Sequence, residues 1–281
     1  MLLKISLMKV IIMLDFFTYT FLQNALIIGI ILSISAALLS PFLVLNQQGM
    51  IAHGLSHVSF TGFVIGLLFL DQPLWLAIPF VVVSSILIQY LSTRIKLQGD
   101  VSIGIVSSVA FAIGLILVKT SANFNVSIES LLVGNIFTLR QGDIILSFII
   151  LLLIGIFVKV IYQKLFLITY DENYALFLKV NVPLIRYLLA VLTSLFIVIG
   201  VGSIGVLLIT SLIIFPAAIA SKISNTFKYT LLLGVIIATL SAIIGIVISH
   251  PLNIPASASI ILIYTIFFIL SFAFKRGGIQ T

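Results

Sequence analysis

The chain contains no cysteine, which excludes disulfides, thiolate metal sites and thiol redox chemistry at the outset. Charge is nearly as scarce. Only 7% of the 281 residues are Asp, Glu, Lys or Arg, against about 25% in a soluble domain, too few to cover a water-facing surface. No Gly-x-x-x-x-Gly-Lys-Ser/Thr loop is present, so the chain does not hydrolyse ATP by itself. The alternating ten-residue pattern of a membrane barrel is missing as well. The first twenty residues, with Lys4 and Lys9, lack a cleavable leader pattern and read as a lead-in to the first apolar run. Histidine occurs three times, which makes the position of each one informative.

What is abundant is apolar sequence, at 62% of residues. A bilayer core about 30 Å thick needs roughly 20 such residues per helix, and runs of that length recur throughout. The chain is therefore an all-α polytopic membrane protein, with residues 1–281 read as one transmembrane domain. The expected spans are Leu22–Leu45 (interrupted by Pro41), Met50–Leu70, Leu74–Leu91, Val101–Val118, Asp143–Ile161, Tyr229–Ile248 and Ala256–Phe274. A short surface helix is expected over 128–134. Residues 188–221 are almost free of charge, too long for one span and tight for two. The glycine run Gly200-Val201-Gly202-Ser203-Ile204-Gly205 predicts two short helices broken there. The total is nine spans, with eight as the alternative. The net charge of +7 marks no nucleic-acid partner, because the basic residues fall in loops. Arg94 with Lys96, Lys159 through Arg186, Lys222 with Lys228, and Lys275 with Arg276 mark the cytoplasmic side. Asp71-Gln72-Pro73 and the expected turn at His250–Pro255 lie outside. The C-terminus is then inside and the N-terminus outside, although Lys4 and Lys9 pull the other way.

Two histidines share the second span, in Ala52-His53-Gly54-Leu55-Ser56-His57. Four residues is just over one helical turn, so both imidazoles lie on one face. An ionisable pair at membrane depth is expensive and points to function. Neutral imidazoles at this spacing also suit a borderline divalent ion such as zinc. The plainer alternative is a pair of histidines that hydrogen-bond neighbouring helices. The Glu of the protease motif His-Glu-x-x-His is absent, which argues against an intramembrane metalloprotease. His250 sits at an outer helix end and fits an interface role better than a gate. Asp71 and Glu129 could present acid groups at the outer mouth. Asp100 and Asp143 sit at helix starts.

Leu55-Ser56-His57-Val58-Ser59-Phe60 followed by Gly62 resembles the second-span signature of the metal-ion permeases of ABC transporters. Four further segments follow that family's order. They are Ser102–Val106 with Phe111–Gly114, then Leu132-Val133-Gly134-Asn135-Ile136, then Asp171–Val180, then Gly205–Leu212 through Pro216-Ala217-Ala218. The resemblance implies an ABC importer permease bundle, a divalent metal ion as transported cargo, and no resident cofactor. The implied partners are an ABC ATP-binding subunit, an extracytoplasmic metal-binding protein and a second permease copy, all at a cell membrane. In that family an Asp and a His of this motif are implicated in metal coordination, which carries over to His57 and to His53, the latter standing where the family has Asp. Imidazole in place of carboxylate removes a negative charge and a hard oxygen, and shifts the expectation from manganese toward zinc, with manganese or iron as the alternative cargo. Asp171, Glu172 and Ala175 match the cytoplasmic segment that contacts the ATPase, and Lys179 stands where that segment has Gly. A stand-alone secondary cation carrier is the reading of another class, fitted weakly by the glycine break.

Overall fold

The computed structural model describes residues 19–69, 72–121, 134 and 141–273. Among them the chain is helical, without strands: α1 Thr20–Val44, α2 Met50–Phe69, α3 Leu74–Thr93, α4 Gly99–Thr120, α5 Gln141–Tyr170, α6 Glu172–Phe177, α7 Val182–Ile204, α8 Val206–Ile223, α9 Phe227–Leu252 and α10 Ala256–Ala273. All except α6 are long and apolar enough to cross a membrane, giving nine spans among the described residues. The surface helix expected over 128–134 lies outside them, apart from Gly134.

The boundaries depart from expectation at three places. α5 runs for 30 residues instead of stopping at Ile161. Lys159 and Lys164 lower the apolar signal there, but Lys is a good helix former and no Pro or Gly follows before Tyr170. At 1.5 Å per residue α5 is about 45 Å long, so its last turns project past a core of about 30 Å. α7 begins at Val182 rather than Leu188, with Pro183 in its first turn and the Asn181 side chain accepting from Leu184 N at 3.2 Å. That earlier start gives both halves of the glycine-broken segment spanning length. A single residue, Gly205, separates them at φ +84, a conformation open to glycine. Finally, α9 continues through Pro251 to Leu252, where a turn was expected from His250. Proline keeps a helical φ, and the stop comes from Asn253 at φ +52.

α1, α2 and α7 are the most buried spans, while α3, α4, α5, α9 and α10 leave wide apolar flanks exposed, as lipid contact requires. α2 is central, packing against α3, α4, α7 and α8. α1 packs against α5, α8 and α9, and α10 closes that side against α8 and α9. Two spans carry internal prolines that meet at one hydroxyl. Ser40, just before Pro41 of α1, donates to the Ile213 carbonyl and accepts from Ala217 N at 3.0 Å. Pro216 disturbs the α8 ladder at this level, and Ser40 stands in for the bond that the two α8 groups would otherwise share.

Candidate functional site

α2 holds the histidine pair on one side and packs tightly on the others. Glycines make this possible. A Cβ at Gly62 would lie 2.9 Å from Ala77 Cα of α3, and one at Gly54 would run into the Ile103 side chain of α4. Ser56 and Ser59 return their hydroxyls to their own helix, to Ala52 O at 2.6 Å and Leu55 O at 2.8 Å. They are thereby spent on backbone and not offered to a ligand. His53 is exposed and His57 half-buried, with its ring lying against Phe111 of α4.

The two Nε2 atoms are 3.2 Å apart, and the rings meet edge to face with centroids at 4.6 Å. With metal–nitrogen bonds of about 2.1 Å, one ion held by both atoms would subtend about 100° at the metal. That angle suits a tetrahedral site and also a slightly wider octahedral one. Imidazole supplies no charge, and among the described residues no group of three or more His, Cys, Asp or Glu side chains forms a metal cluster. One chain thus offers two neutral nitrogen donors of the four that a tetrahedral ion takes. Thr61, one turn beyond His57, bonds across to the Ala110 carbonyl of α4 at 2.7 Å, while Phe111 packs on the His57 ring with centroids 4.7 Å apart.

Asp171, Glu172 and Ala175 come together just beyond the C-terminal end of α5. Asp171 caps α6, its carboxylate accepting from Tyr174 N at 3.0 Å. Glu172 pairs with Arg186 of α7 at 2.6 Å, and Ala175 is fully buried. The carboxylates therefore build and brace the helix, and its outward surface carries aromatic rings: Tyr174 is 50% and Phe177 79% exposed. Lys179 adopts φ +56, with Lys179 N bonding Leu176 O and Val180 N bonding Ala175 O. This is a two-bond left-handed helix stop built on Lys where glycine is the usual occupant.

Of the remaining sequence candidates, His250 packs by ring contacts on Tyr19 and Phe21, joining the end of α9 to the start of α1. Asp100 and Asp143 lie in the first turns of α4 and α5. Asp71 and Glu129 fall outside the described residues. Sequence reasoning missed Thr61, Phe111 and Arg186. Thr61 was legible as a hydroxyl at helical spacing from His57, whereas Phe111 stood out only as part of the Phe111–Gly114 family pattern, with no sign of its contact with His57.

Nine apolar helices of spanning length among the described residues define a multi-pass protein of the cell membrane. The sequence pattern of the ABC 3 transport family matches residues 18–275, and the chain belongs to that family. Similar proteins include the manganese transport system membrane protein MntC of Listeria innocua, 28% identical over 261 residues that cover 92% of this chain and 93% of that protein. The manganese import system permease protein ScaB of Streptococcus parasanguinis is 31% identical over 258 residues, 90% of each chain. Among solved structures, PsaBC from Streptococcus pneumoniae in complex with Fab superposes with a TM-score of 0.81 at 28% identity, covering 93% of this chain and 94% of that one. Membership of an ABC family decides against the stand-alone carrier.

Proposed function

We propose that the chain is the permease subunit of an ATP-driven importer of a divalent first-row metal ion, with zinc as the cargo its donors suit best. The observation that carries this is the pair of Nε2 atoms 3.2 Å apart on a helix of spanning length and composition, His53 being exposed and His57 half-buried. Two nitrogens leave the coordination half complete, and a second copy related by a twofold axis would bring two more. A site shared between two copies can give up its ion when the copies move apart, as conduction demands. All-imidazole coordination favours zinc over manganese, which prefers oxygen. Manganese is the second reading, favoured by the names of MntC and ScaB. ATP hydrolysis belongs to a separate subunit that docks on α6, where Asp171, Glu172 and Ala175 fix a helix whose exposed Phe177 offers an aromatic anchor. An extracytoplasmic metal-binding protein delivers the ion to the outer face.

The test is metal-competition uptake in cells carrying the whole transporter, with cell-associated metal read by inductively coupled plasma mass spectrometry. His57→Ala is expected to abolish uptake while the protein remains in the membrane and bound to its ATPase. His53→Asp is expected to keep uptake and move the zinc-to-manganese ratio toward manganese. Undiminished uptake by His57→Ala removes the site assignment, and an unchanged ratio in His53→Asp removes the argument for zinc.

A further inference from the structure

A metal-bound imidazole that ligates through Nε2 carries its proton on Nδ1, and in most metal sites that N–H donates to a carboxylate, a carbonyl or water, which fixes the ring. His57 departs from this arrangement. Its Nδ1 is buried and has no hydrogen-bond partner. What packs on the ring is Phe111 of α4, at a centroid distance of 4.7 Å and an interplanar angle of 60°. Phe111 is in turn braced by Phe60, one turn along α2, at 5.3 Å. The register between the two helices is pinned beside this contact. Thr61 Oγ1 donates to Ala110 O at 2.7 Å, and a Cβ at Gly114 would lie 3.2 Å from both Phe60 Cε1 and Thr61 Cα. Neither interaction involves a charged group.

From this arrangement we infer that Phe111 is the positioning residue of His57, its ring taking the place that a hydrogen-bond acceptor holds behind an ordinary metal-bound imidazole. The inference rests on the reading of His57 as a ligand. Edge-to-face packing fixes the imidazole plane and leaves Nε2 directed at His53 Nε2. An aromatic face is also a weak acceptor for an N–H, so it orients the ring without adding the electron donation that a carboxylate would supply. The ligand stays a modest base and the ion remains exchangeable. Removing an orienting partner of a metal ligand lowers metal affinity by about 10–100-fold. The effect of Phe111 therefore belongs in the metal concentration that half-saturates uptake, and the maximal rate should be unaffected.

The experiment reconstitutes the complete transporter, with its ATPase subunit, in proteoliposomes and measures zinc uptake against zinc concentration. Phe111→Ala is expected to raise KM on the order of tenfold with Vmax at saturating zinc preserved, and Phe111→Tyr to restore KM. Phe111→Leu keeps bulk without a ring, so it too should raise KM. It decides the matter if the alanine variant fails to assemble. An unchanged KM in Phe111→Leu, or a fall in Vmax alone, overturns the inference by making Phe111 ordinary packing. His57→Ala, run alongside, separates the two levels. If His57→Ala transports normally, the ligand assignment fails. If it is inactive while Phe111→Leu keeps the KM of the parent, only the positioning role fails.

Discussion

α2 presents its histidines because its opposite side can lie almost against α3. At about 100° per residue, Gly62 is about 140° and Gly66 about 180° round the helix from His57. A Cβ at Gly66 would sit 2.5 Å from Pro73 Cα and 2.8 Å from its carbonyl carbon, whereas optimal carbon–carbon contact is about 3.5 Å. Gly66→Ala must therefore move backbone by up to about 1 Å, since the obstructing atoms are not the end of a flexible side chain. Overpacking of this kind destabilises by about 1–3 kcal/mol. Replacing a helical glycine recovers up to about 1 kcal/mol, which leaves a net loss of up to about 2 kcal/mol when that gain is complete. For a chain of this length that corresponds to a melting point lower by up to about 8 °C. The control is Gly104→Ala on α4, where a Cβ meets nothing within 4 Å and only the propensity gain applies. Thermal melting of both variants in detergent, followed by size-exclusion chromatography of a fluorescent fusion, is the assay. Equal melting points for the two would refute the claim that α2 is seated by backbone contact with α3.

Two further substitutions test local devices of the fold. Ser40→Ala leaves Ile213 O and Ala217 N of α8 without their bridging hydroxyl. A loss of about 1–2 kcal/mol is expected, the range for interhelical bonds of this kind in membranes. Ser35→Ala removes only a bond to Ile31 O of its own helix and should melt like the parent; equal losses would deny the bridge its role. Lys179→Gly relieves a left-handed residue and should stabilise the end of α6 by about 0.5–1 kcal/mol, the strain released less the added freedom of the unfolded chain. A lowered melting point would show that the Lys179 side chain matters more than its backbone conformation.

Membership in a membrane class, the number of spans and the histidine face were legible because each rests on a strong, local signal: apolar run length and helical spacing. The errors fall where two signals compete. Lys159 and Lys164 interrupt hydropathy without interrupting a helix, so span five was expected to be shorter than α5. Pro251 looked like a boundary but lies inside α9, because the actual stop is the left-handed Asn253. Residues 182–187 were assigned to a charged loop on account of Arg186. Their helical start becomes intelligible only with Asn181 as the cap and Glu172 as the partner of Arg186. Phe111 was picked up only within a family pattern, and its place behind His57 was beyond reach of the sequence, since it depends on the register that Thr61 and Gly114 set between α2 and α4.

If the histidine pair holds the cargo as proposed, its weakness has a reason. A resident metal site is closed, charged and backed by hydrogen bonds, because it must not lose its ion. The face of α2 reverses each of these features: two donors in place of four, no carboxylate in the pair, and a phenyl ring behind one imidazole. The reversal has a direct thermodynamic reading. An ion bound too well at the midpoint of a pathway has a deep well to climb out of, and ATP-driven opening would have to supply that difference on every cycle. If the second copy completes the coordination, affinity depends on how the two α2 helices are apposed. Separating them on one side of the membrane lowers the donor count from four to two and releases the ion without any change in the ligands themselves. The tight seating of α2 by Gly62 and Gly66 then matters for transport as well as for stability, because only a rigidly held helix keeps its pair of nitrogen atoms in register with those of the second copy.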